Sequence, residues 1–275
     1  MTIHDWLKKT TIELSNVGIE TARLDALVIL CDVLGKDKSW VLAYPEQILQ
    51  GSDLHKLNTK IDQRTTHVPL AYVRGQAEFY GREFMVSEAV LVPRPESESM
   101  IELLKKVVGR RASGVGIIDV GTGGGCLAIT AKLELPDASV VAIDIDEDAL
   151  RVAVQNAHIF DADVQFYQGD LLQPLLSSVF KHQPSFILAN LPYVPTNHPI
   201  NEAAAHEPAL ALFSGDDGLD HYRKLFEQAM ELAPQPYAII AESLFTQHEK
   251  MNDLATNAGY EQKEVDGLVQ LFVLR

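Results

Sequence analysis

Two short motifs hold the residues in this chain best suited to chemistry. Ile117-Ile118-Asp119-Val120-Gly121-Thr122-Gly123-Gly124-Gly125-Cys126 is an apolar run that breaks into a glycine-rich turn. Phe186-Ile187-Leu188-Ala189-Asn190-Leu191-Pro192-Tyr193 is a second apolar run, ending in Asn-Leu-Pro-Tyr. Glycine adopts backbone conformations that side chains resist. Gly121, Gly123, Gly124 and Gly125, with Thr122 among them, can therefore bring backbone close to a ligand. A helix starting just after such a loop points free N–H groups at the same place. The spacing is not that of the dinucleotide GxGxxG, and alone it fits a tight strand-to-helix turn equally well.

Further residues in chain order narrow the chemistry. Val140-Val141-Ala142-Ile143-Asp144 is a β-branched run ending in an acid. In doubly wound folds an acid at that place accepts from ribose hydroxyls. Asp146, Glu147 and Asp148 follow and suit the cap and first turn of the next helix. Gly169-Asp170-Leu171 ends the next strand, beside where an adenine would lie; a turn or cap role for Asp170 is the plainer alternative. Asn190 should emerge at the carboxyl end of its strand, where open sheets bind ligands. Its side-chain oxygen can accept from a substrate NH2, the Leu191 carbonyl can accept a second hydrogen bond, and Asn190 can touch a donor molecule as well. The order glycine loop, Asp144, Asp170, Asn190 points to methyl transfer from S-adenosylmethionine to an amide or amino nitrogen. Glu207-Pro208, 17 residues past Asn190, opens a loop able to close over the site. His198 and His206 read as loop polars.

The elements that must position these residues alternate. Strands are expected at 116–120, 139–144, 164–168, 185–190, 236–242 and 268–274, with helices near 124–134, 147–158, 219–232 and 246–258. That alternation argues for a doubly wound, mostly parallel α/β sheet. Residues 1–74 read as helices, with Ile3, Trp6, Leu7 and Leu14 on one face, then 23–34, 40–44 and 54–64. Residues 75–92 form a β-hairpin linker, and 93–275 the domain that carries the site. A helix from about Ser97 to Val108 follows Pro93-Arg94-Pro95.

Composition sets bounds. The chain of 275 residues is 47% hydrophobic and 22% charged, ordinary for a globular protein. The net charge of −15 is uneven: residues 1–74 carry 9 basic and 9 acidic residues, the remainder 14 and 29. A nucleic-acid surface needs clustered cations. Lys105, Lys106, Arg110 and Arg111 come nearest, at a helix end where the dipole favours them anyway. Nucleic acid as substrate is disfavoured. No apolar run spans a membrane and no signal core is present, so a cytoplasmic protein is expected. Cys31 and Cys126 read as separate thiols, and no metal-ligand spacing occurs.

The chain resembles the release-factor glutamine methyltransferases, the HemK or PrmC family, over nearly its whole length. The likeness runs through Ala22-Arg23-Leu24-Asp25-Ala26, Pro69-Leu70-Ala71-Tyr72-Val73-Arg74-Gly75, Glu78-Phe79-Tyr80-Gly81, Leu91-Val92-Pro93-Arg94-Pro95-Glu96, the glycine loop, Asn190 to Tyr193, and Glu207-Pro208 with Gly215-Asp216-Asp217-Gly218-Leu219. It implies a class I methyltransferase fold, a Rossmann-like seven-stranded sheet behind a small all-helical domain that grips a protein substrate. It implies S-adenosylmethionine as methyl donor and a class 1 peptide chain release factor as partner. The target would be the glutamine of its Gly-Gly-Gln motif, and a monomeric enzyme is expected. Gly121 to Gly125 would bind the methionine part of the donor and Asp144 its ribose, with Asp170 and Leu171 beside the adenine. Asn190, Leu191, Pro192 and Tyr193 would hold the glutamine amide, next to Glu207 and Pro208.

Three features depart from the family pattern. Leu191 stands where Asn-Pro-Pro-Tyr is usual, Pro234-Gln235-Pro236 stands where a glycine pair is frequent, and the final hairpin at Asp266-Gly267-Leu268 is short. Asn-Leu-Pro-Tyr also resembles ribosomal RNA adenine dimethyltransferases, which need a basic face. A relative acting on a glutamine of a ribosomal protein would share the motif. A protein that binds the donor as a sensor or scaffold is a third alternative.

Overall fold

The computed structural model describes residues 1–109, 114–176 and 186–275; Arg110, Arg111 and the first residue of the strand expected at 185–190 lie outside these. The chain divides into two compact units. One is Met1–Gln76 with Ile200–His206, the other Ala77–Pro199 with Glu207–Arg275.

The first unit is helical: α1 (Ile3–Asn16), α2 (Ala22–Leu34), α3 (Lys38–Ala43), α4 (Gly51–Thr65) and α5 (Leu70–Arg74). Local signals set the ends. The Thr2 side chain accepts from the Asp5 N–H, Asp37 does the same for Trp40, and Gly35 closes α2 at φ 61°. Ile3, Trp6, Leu14, Ile29, Leu30, Leu57 and Ile61 fill the core. Buried Asp25 is paired with Arg64 at 2.7 Å. His206 Nε2 donates to the Thr66 carbonyl, and His67 pairs with Glu202, so the returning segment belongs to this unit.

The second unit opens, from Ala77 on, with a hairpin, β1 (Gln76–Phe79) and β2 (Arg82–Met85), and α6 (Glu98–Val108). There follow β3 (Gly116–Val120), α7 (Cys126–Glu134), β4 (Ser139–Asp144), α8 (Glu147–Ile159), β5 (Val164–Gln168), α9 (Gln173–Leu176) and β6 (Phe186–Ala189). The chain ends with α10 (Ala209–Leu212), α11 (Asp220–Glu231), β7 (Ala238–Glu242), α12 (His248–Asn257), β8 (Tyr260–Asp266) and β9 (Val269–Leu274). The seven-stranded sheet runs β5-β4-β3-β6-β7-β9-β8, with β9 antiparallel to both its neighbours and the other pairs parallel. This is the doubly wound, mostly parallel seven-stranded sheet expected from the sequence.

Both faces of the central strands are apolar because both are covered. Ile117, Val140, Leu188 and Ile240 pack with Met100, Leu104 and Ala128 of α6 and α7. Ile118, Val141, Ile187 and Ile239 pack with Leu225, Phe226 and Met251 of α11 and α12. Strand order reverses at β3 and β6, and the crevice at their carboxyl ends receives both sequence motifs. Among the described residues, no helix is long and apolar enough to cross a membrane, and no group of His, Cys, Asp or Glu could hold a metal ion. Cys31 and Cys126 are separate, half-buried thiols.

Candidate active site

The glycine loop leaves β3 under tight control. The N–H groups of Gly121 and Thr122 both donate to the Ile143 carbonyl, at 2.8 and 3.0 Å, and Gly125 N–H donates to the Thr122 carbonyl. Gly121, Gly123 and Gly125 have φ of 71°, 53° and 83°, the region that favours glycine. Beneath the loop, Asp119 Oδ2 accepts from Thr122 Oγ1 at 2.6 Å and from the Ala128 N–H at 3.0 Å, tying the turn to the first turn of α7. Asp119 Oδ1 is buried with no hydrogen-bond partner. Burial pushes the Asp119 carboxyl up to about 7. Asp119 has no role assigned by the motifs, although an acid inside an apolar strand marks it in the sequence.

Asp144, half-buried at the end of β4, accepts from the Gly123 N–H at 2.8 Å through Oδ2 and from the Asp146 N–H at 2.9 Å through Oδ1. Each oxygen keeps a second acceptor position. Burial raises its pKa against the pull of those N–H groups. Asp146 caps α8, accepting from Asp148 and Ala149.

These loops enclose a cavity of about 160 Å³. Of the residues singled out from sequence, Gly121, Thr122, Gly123, Gly124, Asp144, Asp170, Leu171, Asn190, Leu191, Pro192 and Pro208 line it. Gly125, Tyr193 and Glu207 do not. A Cβ at Gly125 would sit 3.0 Å from Ile129 and 3.1 Å from Ala153, so that glycine permits close helix packing. Glu207 is buried and grips Arg94 Nη2 through both carboxylate oxygens, at 2.7 and 2.9 Å. Arg94 itself lines the cavity, as do Ser97 and His221. No motif singled out His221, whose Nδ1 sits 2.6 Å from buried Ser214 Oγ. The Asp170 carboxylate pairs with Lys224, and Leu171 holds φ 55°, a strained value for a leucine.

Asn190 stands on a buried polar network. Glu242, fully buried at the end of β7, accepts from Ser97 Oγ at 2.6 Å and from Tyr193 Oη at 2.9 Å. Asn190 Nδ2 donates to Ser97 Oγ at 2.8 Å and lies 3.4 Å from Glu242 Oε2. With the NH2 group so engaged, Oδ1 is the Asn190 atom left for the cavity. Tyr193 uses its hydroxyl proton on Glu242, and burial next to that carboxylate drives its pKa up.

The residues fit S-adenosylmethionine. A Cβ on Gly123 would meet nothing within 4 Å, so the loop leaves open space where a side chain would stand. Two carboxylate oxygens with spare acceptor positions suit ribose hydroxyls, and the apolar wall at Val90, Leu91 and Leu171 suits an aromatic base.

Comparisons with known proteins agree. Residues 5–75 match the PrmC N-terminal domain family, and residues 111–212 a methyltransferase domain family. The chain is 34% identical to the release factor glutamine methyltransferase of Bacillus subtilis, covering 97% of this chain and 93% of that one. It is 30% identical to a bifunctional methyltransferase of Rickettsia felis over 94% of this chain, but spans only 54% of that longer protein. Among solved structures, the T. thermophilus 16S rRNA N2 G1207 methyltransferase in complex with AdoMet and guanosine shares the fold. It aligns at a TM-score of 0.51 and 16% identity, over 73% of this chain and 50% of that one.

Proposed function

The chain belongs to the release factor glutamine methyltransferase family and is an S-adenosylmethionine-dependent methyltransferase; we propose that its substrate is the side-chain amide of the glutamine in the Gly-Gly-Gln motif of a class 1 peptide chain release factor. The observation that carries this reading is the held Asn190. Its NH2 side is fixed by Ser97 and Glu242, so the site offers an acceptor, and a primary amide offers matching donors.

S-adenosylmethionine supplies an electrophilic methyl group. Gly121 to Gly124, Asp144, Asp170 and Leu171 would hold it. An amide nitrogen is a weak nucleophile because its lone pair is delocalised into the carbonyl. Asn190 Oδ1 and the Leu191 carbonyl would each accept one N–H of the glutamine amide. Two acceptors in the amide plane fix the orientation of the nitrogen and raise its electron density. The catalytic effect is therefore positioning and electrostatics. Once methylated, the nitrogen is strongly acidic and its surplus proton passes to water; the Tyr193 hydroxyl, kept neutral beside Glu242, is too weak a base to be the acceptor. Pro192 and Pro208 wall the substrate side, and the Arg94–Glu207 pair steadies the segment that Pro208 opens.

The helical unit serves the protein substrate in this reading. The excess of acid in residues 75–275 argues against a phosphate backbone as partner. We take the enzyme to be a cytoplasmic monomer without direct nucleic-acid contact. Incubation with labelled donor and purified release factors, followed by mapping of the labelled residue, tests the proposal. The expected label is on the Gly-Gly-Gln glutamine, with Asn190→Ala about a hundredfold slower in turnover. Label on a ribosomal protein alone, or normal turnover in Asn190→Ala, refutes it.

A further inference from the structure

We propose that Glu242 is a positioning residue which, through Ser97, fixes the direction of the Asn190 carboxamide and so determines that the site presents an acceptor. The inference rests on the reading above, in which Asn190 receives the substrate amide.

The direction follows from donor and acceptor counting. An ionised carboxylate can only accept. Ser97 Oγ, 2.6 Å from Glu242 Oε2, must therefore spend its single proton on Glu242. Its lone pairs are then what faces Asn190 at 2.8 Å, so the nearer Asn190 atom must be the NH2 group. A reversed Asn190 would set its oxygen against Ser97 Oγ, whose single proton is already on Glu242, and against Glu242 Oε2, leaving that oxygen facing two acceptors with no donor. The choice of amide direction, ordinarily inferred from the surroundings, is here dictated by a charge. The second carboxylate oxygen is occupied by Tyr193, so the carboxylate cannot easily turn away. Ser97, Glu242 and the Asn190 turn come from three separate parts of the chain, at the start of α6, the end of β7 and the end of β6.

Protonation would break this logic. A neutral Glu242 can donate to Ser97, Ser97 can then donate to an Asn190 oxygen, and both amide directions become acceptable. Burial raises the Glu242 pKa, opposed by its bonds from Ser97 and Tyr193. The titratable groups facing it are Tyr193, Glu96 and Arg94, with Tyr222 donating to its backbone carbonyl. Orientation is thus held above the raised pKa and lost as pH falls through it. Glu242→Gln has the same consequence at every pH, because its amide can offer either a donor or an acceptor to Ser97.

The test uses the full chain with Glu242→Gln and Ser97→Ala. Three quantities are read: donor affinity by calorimetry, the Asn190 side-chain NH2 signals by 15N NMR, and kcat and KM on a release factor against pH. Glu242→Gln should lower kcat by about 10- to 100-fold while donor affinity and KM stay within a few-fold. It should also shift the Asn190 NH2 signals and remove an acid limb that the unaltered enzyme shows. Ser97→Ala should lower kcat less, since Asn190 Nδ2 keeps its longer contact with Glu242. Unchanged kcat and unchanged Asn190 signals in Glu242→Gln overturn the proposal. Should that variant not fold, the same result in Ser97→Ala, which loses only a hydroxyl, overturns it. Should the unaltered enzyme bind donor but methylate no glutamine, the functional reading fails. The NMR comparison still decides whether Glu242 holds Asn190.

Discussion

The two motif loops touch, and that contact can be measured. A Cβ on Gly121 would stand 2.8 Å from Leu191 Cδ2, closer than non-bonded carbons come. Gly121 also holds φ 71°. Gly121→Ala therefore carries two penalties. A left-handed alanine costs roughly 1–2 kcal/mol, and forcing Leu191 aside in a buried, well-packed place costs about 1–3 kcal/mol. Leu191 is 2% exposed, so Leu191→Ala alone should cost about 2–5 kcal/mol through its cavity. In the double variant the new methyl has room, and the overlap disappears while the backbone penalty remains. The double variant should thus be more stable than the sum of the two single effects, by roughly 1–3 kcal/mol. Urea unfolding of the four proteins measures this, provided the slope is constant across them. Calorimetry alongside should show weakened donor binding in Gly121→Ala, because the displaced turn also lines the cavity. Single effects that add to within ~0.5 kcal/mol would show that Leu191 yields freely and that the loops are mechanically separate.

Two other outcomes follow from the acids of the site. Asp144→Ala should weaken S-adenosylmethionine binding at least about tenfold, since charge-assisted hydrogen bonds contribute roughly 1.5–3 kcal/mol each; unchanged calorimetric affinity removes Asp144 from the ribose site. Asp119 should make the donor-free protein less stable as pH rises. The unfolded chain releases that proton near 3.8 and the folded chain near 7, so the folded state binds more protons between these values. A displacement of about three units corresponds to roughly 4 kcal/mol, lost progressively from pH 4 to 7. Asp119→Asn should flatten this part of the stability curve, and an unaltered slope in urea titrations would show that the carboxylate is solvated or already ionised.

Much of the second unit was legible because its strands are short, β-branched and punctuated by glycine or an acid. β3, β4 and β5 begin and end where the sequence places them. Local composition failed where tertiary contact overrode it. β8 reads Tyr-Glu-Gln-Lys-Glu-Val-Asp, a polar edge strand with only its first residue buried, and it pairs because β9 lies beside it. α5, α9 and α10 are too short to show a helical period. The site divides in the same way. Residues adjacent to the glycine turns line the cavity, and the turn itself marks them in the sequence. Glu242, Ser97 and Arg94 were not assigned roles, since each meets its partner only when elements distant in sequence come together. Glu242 sits inside an apolar strand, Ala238–Glu242, where a charge is costly unless something holds it. That was the one signal available.

Leu191, the departure from the family's usual proline, has a structural counterpart. Its N–H, which proline would lack, donates to Tyr222 Oη at 3.2 Å. Tyr222 is fully buried on α11, and the one proton of its hydroxyl is shared between the carbonyls of Ala189 and Glu242. A proline ring stiffens the turn by fixing φ. Here a hydrogen bond from the turn to α11 fixes it instead, and the Leu191 carbonyl keeps its direction either way. Tyr222→Phe should therefore cost about 1–3 kcal/mol, because it strands a buried N–H, and it should lower turnover by loosening the Leu191 carbonyl. In a Leu191→Pro background that N–H is gone and the ring restrains the turn. There, Tyr222→Phe should cost at least ~1 kcal/mol less and leave turnover within a few-fold. Urea unfolding and methyl-transfer rates on the four proteins decide the matter. An equal cost of Tyr222→Phe in both backgrounds would mean that Tyr222 acts only through the Ala189 and Glu242 carbonyls, and that Leu191 needs no tether.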